Sequence, residues 1–215
     1  MKTAFTTFVL VAVLATAAHA QPGERLALGA GVGLNDYVDG AFHGKKVNIV
    51  PEYHFGLTPH SDRDGLSFGL KGGIGYAHPD RSDGVAGAET TTGSLRVLSV
   101  MAGAGPSYRR GPLRLGMGVV AGPSFNTFTV SDQARAAYRD RLGATLNSIK
   151  VKNSVTVRPD VSLWYNVADK WGIHSAVSYT SNRPTVETTV DGVTTKTQWK
   201  TDRWSYRAGL AYGIF

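Results

Sequence analysis

Histidine, serine and acidic side chains at fixed spacings are the usual carriers of chemistry, and in this chain they do not converge. Beyond the first twenty residues the histidines are His43, His54, His60, His78 and His174. No two of them stand in the His-Glu-x-x-His spacing that sets two imidazoles on one helix face around zinc. His174 and Ser175 are adjacent, which in a strand sends them to opposite faces and denies the serine an imidazole base. There is no cysteine, so a disulfide scaffold, a thiolate metal site and a cysteine nucleophile are excluded. Phosphate loops, dinucleotide fingerprints and calcium loops find no match. The expectation is no catalytic residue, no metal, no cofactor and no nucleic-acid partner.

The charged residues do share one property, the parity of their positions. Arg25, Lys46, Glu52, Lys71, Arg114, Arg158, Asp160, Arg203 and Arg207 all lie opposite an apolar stripe of period two. In residues 66–76 the stripe is Leu66, Phe68, Leu70, Ile74 and Tyr76, facing away from Ser67, Gly69, Lys71, Gly73 and Gly75. In residues 113–122 it is Leu113, Leu115, Met117, Val119 and Ala121, against Arg114, Gly116, Gly118 and Gly122. The same alternation runs through residues 25–34, 46–57, 155–165, 171–179 and 203–214. Residues 94–108 complete eight predicted strands, but there Val97, Ser99 and Met101 compete with Leu98, Val100 and Ala102 for the apolar face.

These elements fit one architecture. Charged residues are 18% of the 215, below the roughly 25% of soluble domains, and 26 glycines disfavour a helical bundle. Short connections follow the second, fourth and sixth strands; long ones, near residues 35–45, 77–93, 126–154 and 180–197, follow the first, third, fifth and seventh. Alternating short turns and long loops are the layout of a membrane-spanning barrel. A soluble barrel reverses the faces, apolar inside and polar outside. An Arg or Lys facing lipid at mid-depth costs about 2–4 kcal/mol, so a charge-free stripe is the lipid face. The predicted fold is therefore all-β: an eight-stranded antiparallel up-and-down transmembrane β-barrel. Its charges form a lumen network of Arg25, Glu52, Lys71, Arg114, Arg158, Asp160, Arg203 and Arg207. Aromatic belts are expected at the two strand ends, Tyr53, Phe55, Tyr108, Tyr165, Trp171, Tyr212 and Phe215 at one and Tyr37, Tyr76, Phe125, Phe128 and Tyr179 at the other.

The first twenty residues stand apart. Lys2, the uncharged apolar run 5–17 and Ala18-His19-Ala20 match a secretory signal peptide with a small-x-small cleavage site. The expected division is a signal peptide over 1–20 and a barrel over 21–215.

Phe215 follows an amphipathic strand that carries Tyr212, and this ending resembles the C-terminal assembly signal of bacterial outer-membrane barrel proteins. In layout the mature chain resembles the small eight-stranded group, the OmpA-barrel and OmpX-like outer-membrane proteins. It departs from them at Gly213, where that group has an aromatic residue, with Tyr212 one position away. The resemblance implies the Gram-negative outer membrane, export through the Sec translocon, folding by the barrel-assembly machinery, and lipopolysaccharide as surrounding lipid. A monomer is expected. Lipid A deacylases of this kind carry His-x-Ser-Asn; here Tyr179 stands two residues before Ser181-Asn182, so that motif is absent.

Two surfaces remain for function. An eight-stranded lumen is nearly filled by side chains, and inward glycines such as Gly69, Gly73, Gly116 and Gly118 either leave water-filled space or make room for long Arg and Lys chains. The third long loop predicts a short helix over 134–142, capped by Ser131 or Asp132 and stopped by Gly143. Arg135, Arg139, Arg141, Lys150 and Lys152 outnumber Asp132 and Asp140 there. Arg135, Arg139 and Lys150 are the candidates to face lipopolysaccharide phosphates. The expected function is a non-enzymatic structural or surface-interaction barrel. The alternatives are a narrow ion-conducting channel and a lipid A-modifying enzyme.

Overall fold

A computed structural model describes residues 25–43, 47–56, 64–85, 87–168 and 171–213. The expected signal peptide and Phe215 lie outside the described residues, as do the side chains of Arg25 and Glu52.

Eight long strands form the body: β1 Arg25–Tyr37, β3 Val47–Gly56, β4 Gly65–Ala77, β6 Ala88–Arg110, β7 Leu113–Val130, β9 Ser154–Asn166, β10 Trp171–Asn182 and β13 Arg203–Gly213. Every pairing is antiparallel, in the order β4-β6-β7-β9-β10-β13-β1-β3. The two end strands, β3 and β4, follow one another in the chain and approach each other, as the end strands of an up-and-down barrel do. The period-two pattern fixes the faces. On β4, Leu66, Phe68, Leu70, Ile74 and Tyr76 point outward and are exposed, while Ser67, Gly69, Lys71, Gly73 and Gly75 face the lumen. Leu115, Met117 and Val119 on β7, Val161 and Leu163 on β9, and Tyr206 and Leu210 on β13 continue this outer apolar surface. An outer face of this kind, around a polar interior, belongs in lipid.

β6 settles the strand whose faces the sequence leaves open. Leu98, Ala102 and Tyr108 point outward; Val97, Ser99, Met101 and Ser107 are buried inside. Both faces read as apolar because β6 and β7 are longer than a membrane-spanning strand of about 9–11 residues. Their ends away from the termini leave the lipid and enter a second structure.

That structure, the cap, is built from what the sequence presents as long loops. Its parts are β2 Phe42–His43, β5 Asp80–Val85, α1 Asp132–Leu142, β8 Leu146–Val151, β11 Thr185–Val190 and β12 Val193–Gln198. β2 and β5 extend the β6 side, and β8, β11 and β12 form a separate three-stranded sheet. The cap has its own core of Phe42, Leu95, Val97, Ala134, Leu146, Ile149, Val186 and Trp199. Phe128 and Tyr37, expected in an interfacial belt, instead pack against this core. Helix α1 has the expected caps: Ser131 Oγ accepts from Ala134 N at 3.0 Å, and Gly143 takes the left-handed conformation (φ 61°) that ends the helix.

Candidate functional site

The lumen is crossed by long cationic side chains. From β4, Lys71 reaches over to β9, where its Nζ lies 2.8 Å from Asp160 Oδ2. Its path passes over β7 at Gly118, where a Cβ would stand 2.8 Å from Lys71 Cδ, so glycine is what lets the lysine through. Arg158 runs the other way, from β9 toward Gly73 on β4, where a built Cβ would sit 3.6 Å from its Nη2. Asp160, Arg207 and Arg203 all lie within electrostatic range of Arg158. Arg203 is buried, shares a hydrogen bond with Tyr37, and holds its guanidinium 6.0 Å from that ring.

Toward the end that carries the termini, Arg114 donates to Ser107 Oγ at 3.1 Å. There Trp164 and the buried His174 stack at 5.7 Å, and Trp164 Nε1 donates to Asn166 at 2.5 Å. Gly172 leaves the space that the Trp164 ring fills. Toward the cap, the hydroxyls of Ser99, Ser124 and Thr156 form a buried chain of contacts. Among the expected lumen charges, then, Lys71 and Asp160 form an ion pair, and Arg158, Arg203 and Arg207 gather near one another. Arg114 meets Ser107. For Arg25 and Glu52 only the backbone is described; Glu52 stands opposite Gly29 of β1.

The cap surface is charged but substantially paired. Arg135 and Arg139 are exposed on α1, at 3.3 Å from Asp132 and 2.9 Å from Asp140. Arg141 turns back to Val85 O and Thr90 Oγ1. Lys150 is exposed on β8, in register with Glu187 of β11. Lys152 at 3.2 Å and Lys196 at 3.6 Å flank Glu187, and the hydrogen bond from Lys152 holds its carboxyl below the ordinary glutamate range.

Two cap features escape sequence reasoning because they join segments distant along the chain. The Arg81 guanidinium lies 4.8 Å from the Phe42 ring centroid and 4.3 Å from that of Trp199, fixed by Asp83 at 2.5 Å. Asp202, nearly inaccessible, accepts from Tyr179 Oη, Ser181 Oγ, the Asn182 amide and Arg183. No spacing in the sequence signals either one. Among the described residues no group of three or more His, Asp or Glu could hold a metal ion.

The family model for the outer membrane protein β-barrel domain matches residues 6–147. Among solved structures, OprG from Pseudomonas aeruginosa is similar at 12% identity and TM-score 0.64, covering 90% of this chain and 97% of that one. AlkL, determined in lipid bilayers, is similar at 16% identity and TM-score 0.53, covering 90% of this chain and 91% of that one. The neisserial surface protein NspA is similar at 12% identity and TM-score 0.50, covering 90% and 98%. At these identities the likeness is one of fold. No curated protein matches the chain.

Proposed function

The chain belongs to the outer membrane protein β-barrel domain family, and from that premise we propose a non-enzymatic surface-interaction role carried by the cap. The observation that supports this reading is the cap's own core, in which Leu95, Ala134 and Val186 are fully buried. In such barrels the long connections face outward from the cell. Connections that only joined strands would need no shared core; these build a preformed extracellular surface. The charges of Arg135 and Arg139 on α1 and of Lys150 on β8 stand on that surface.

The proposed contact is with lipopolysaccharide phosphates. Each cation near an anionic lipid surface contributes on the order of 1 kcal/mol, and salt weakens it. Asp132 and Asp140 moderate the attraction of the two arginines, as Glu187 across the strand pair moderates that of Lys150. Biogenesis through the Sec translocon and the barrel-assembly machinery, and a monomeric state, complete the reading. The lumen weighs against a wide pore, because Lys71 and Arg158 cross it and Trp164 fills space nearer the periplasmic end.

The test replaces Arg135, Arg139 and Lys150 together by Ala. The variant should assemble as a heat-modifiable barrel while its co-purifying lipopolysaccharide falls in a salt-sensitive way. Undiminished lipid retention at low salt would remove the basic surface from the function.

A further inference from the structure

We propose that the lumen, just beneath the cap, binds a small inorganic anion between Arg158 and Arg203. The inference is independent of the cap's surface role.

It rests first on position. Arg203 pairs with Tyr37 at the cap end of β1 and with Thr180 of β10. Arg158 stands opposite Val120 of β7, two residues along β9 from the buried hydroxyl of Thr156. Both guanidiniums carry a buried Nε without a hydrogen-bond partner, and Arg203 is 9% exposed. A guanidinium directs all five of its N–H donors in one plane and has no acceptor, so only an electron-rich group can satisfy them. The buried Thr180 stands in register with Arg203, and the buried hydroxyls of Thr156 and Ser205 lie two residues along their own strands from Arg158 and Arg203.

It rests next on charge. Among the described residues Asp160 is the acid within range of Arg158, and its carboxylate is already held by Lys71 at 2.8 Å. Asp202, the other buried acid near this level, is committed to Arg183 and three further donors. Glu52 stands opposite Gly29, whereas Arg203 stands opposite Tyr37, eight residues further along β1. At about 3.3 Å per residue that is roughly 26 Å of strand, beyond any ion pair. Arg158 therefore lies within range of Arg203 and Arg207 as like charges, and among the described residues Asp160 is the acid in that range. Like charges inside the lumen repel, and an anion between them removes the repulsion while accepting their N–H groups. The planar N–H donors of the two guanidiniums suit a halide or a compact oxyanion.

The test uses the full-length mature barrel refolded in uncharged detergent, with sodium gluconate exchanged for sodium chloride or sodium sulfate at constant ionic strength. The unfolding midpoint should rise saturably with the small anion and not with gluconate. The shift should be on the order of 3–5 °C at tenfold excess over the dissociation constant. Arg158→Gln and Arg203→Gln should each lose the shift, while Arg110→Gln at the exposed turn keeps it. If neither lumen variant assembles, chlorine-35 line broadening on the wild-type protein decides. Broadening that saturates and is displaced by sulfate supports the site. Absence of a saturable chloride effect in wild type, or its persistence in both lumen variants, overturns it.

Discussion

The barrel and the cap are packed in opposite senses, and two strands pass through both. Along β6 the inward face is Ser99, Met101, Gly103, Gly105 and Ser107 in the barrel but Leu95 and Val97 in the cap. Along β7 it is Gly116, Gly118 and Ser124 in the barrel but Phe128 and Val130 in the cap. The outward face changes in the other direction. Leu98 and Phe125, paired and both exposed, are followed by the pair Arg96 and Thr127. The backbone register is continuous across this boundary, so strand geometry does not cause the change. The solvent does: lipid rewards apolar groups outside, water rewards them inside.

The largest expected effect comes from breaking the barrel's polar interior. Asp160→Ala leaves Lys71 without its partner at 2.8 Å. Removing one member of a buried pair costs about 3–5 kcal/mol. The urea midpoint of the reconstituted barrel should fall by far more than for Asp140→Ala on the exposed helix.

The cap is broken by the reverse chemistry. Leu95→Ala empties a fully buried position and should cost about 2–5 kcal/mol. The loss should be confined to the cap, read as protease cleavage between residues 131 and 153, with the barrel still migrating as a folded band in cold SDS. The outer face then sharpens the contrast. Leu115→Arg and Met117→Arg put a charge into lipid from exposed positions and should each cost about 2–4 kcal/mol of insertion energy. An arginine at the exposed cap residue Thr127 should assemble normally.

Smaller effects belong to the cap's edges. Ser131→Ala removes the acceptor of the Ala134 amide and should destabilise α1 by about 1 kcal/mol, seen as faster amide exchange in its first turn. Glu187 adds a pH dependence of known sign. Lys152 holds its carboxyl below the ordinary range, so its contribution is full above that range and disappears as pH falls through the depressed value. Protection of the 185–198 hairpin, taken relative to intrinsic amide exchange at each pH, should therefore fall in acid, and Glu187→Gln should abolish that dependence.

How much of this is legible in the sequence follows from the same contrast. Strands with one face in lipid and the other in the lumen announce themselves: Leu113, Leu115 and Met117 alternate with Arg114, Gly116 and Gly118. Helix α1 is legible too, because its caps are local. The strand 94–108 is ambiguous because its inward Val97 serves the cap core while its outward Leu98 serves the lipid, two environments asking for the same residue type. The belts are overextended for that reason, and Phe128 turns inward. The Lys71–Asp160 contact joins residues 89 apart; parity puts both in the lumen, and only the register and the gap at Gly118 bring them together. Arg81 between Phe42 and Trp199 has no local signature at all.

The boundary on β6 can be measured directly, because the chain contains no cysteine and single cysteines can be added one at a time. Spin labels at positions 94, 96, 98, 100, 102, 104 and 106 of the barrel in bilayers would be challenged with lipid-soluble oxygen and with a water-soluble nickel chelate. From 98 to 106 the labels at these outward positions should meet oxygen and be shielded from nickel. At 94 and 96 the preference should reverse. A label at 98, 102 or 106 that responds chiefly to nickel, or a scan with no reversal between 96 and 98, would contradict a strand that leaves lipid there to build a cap.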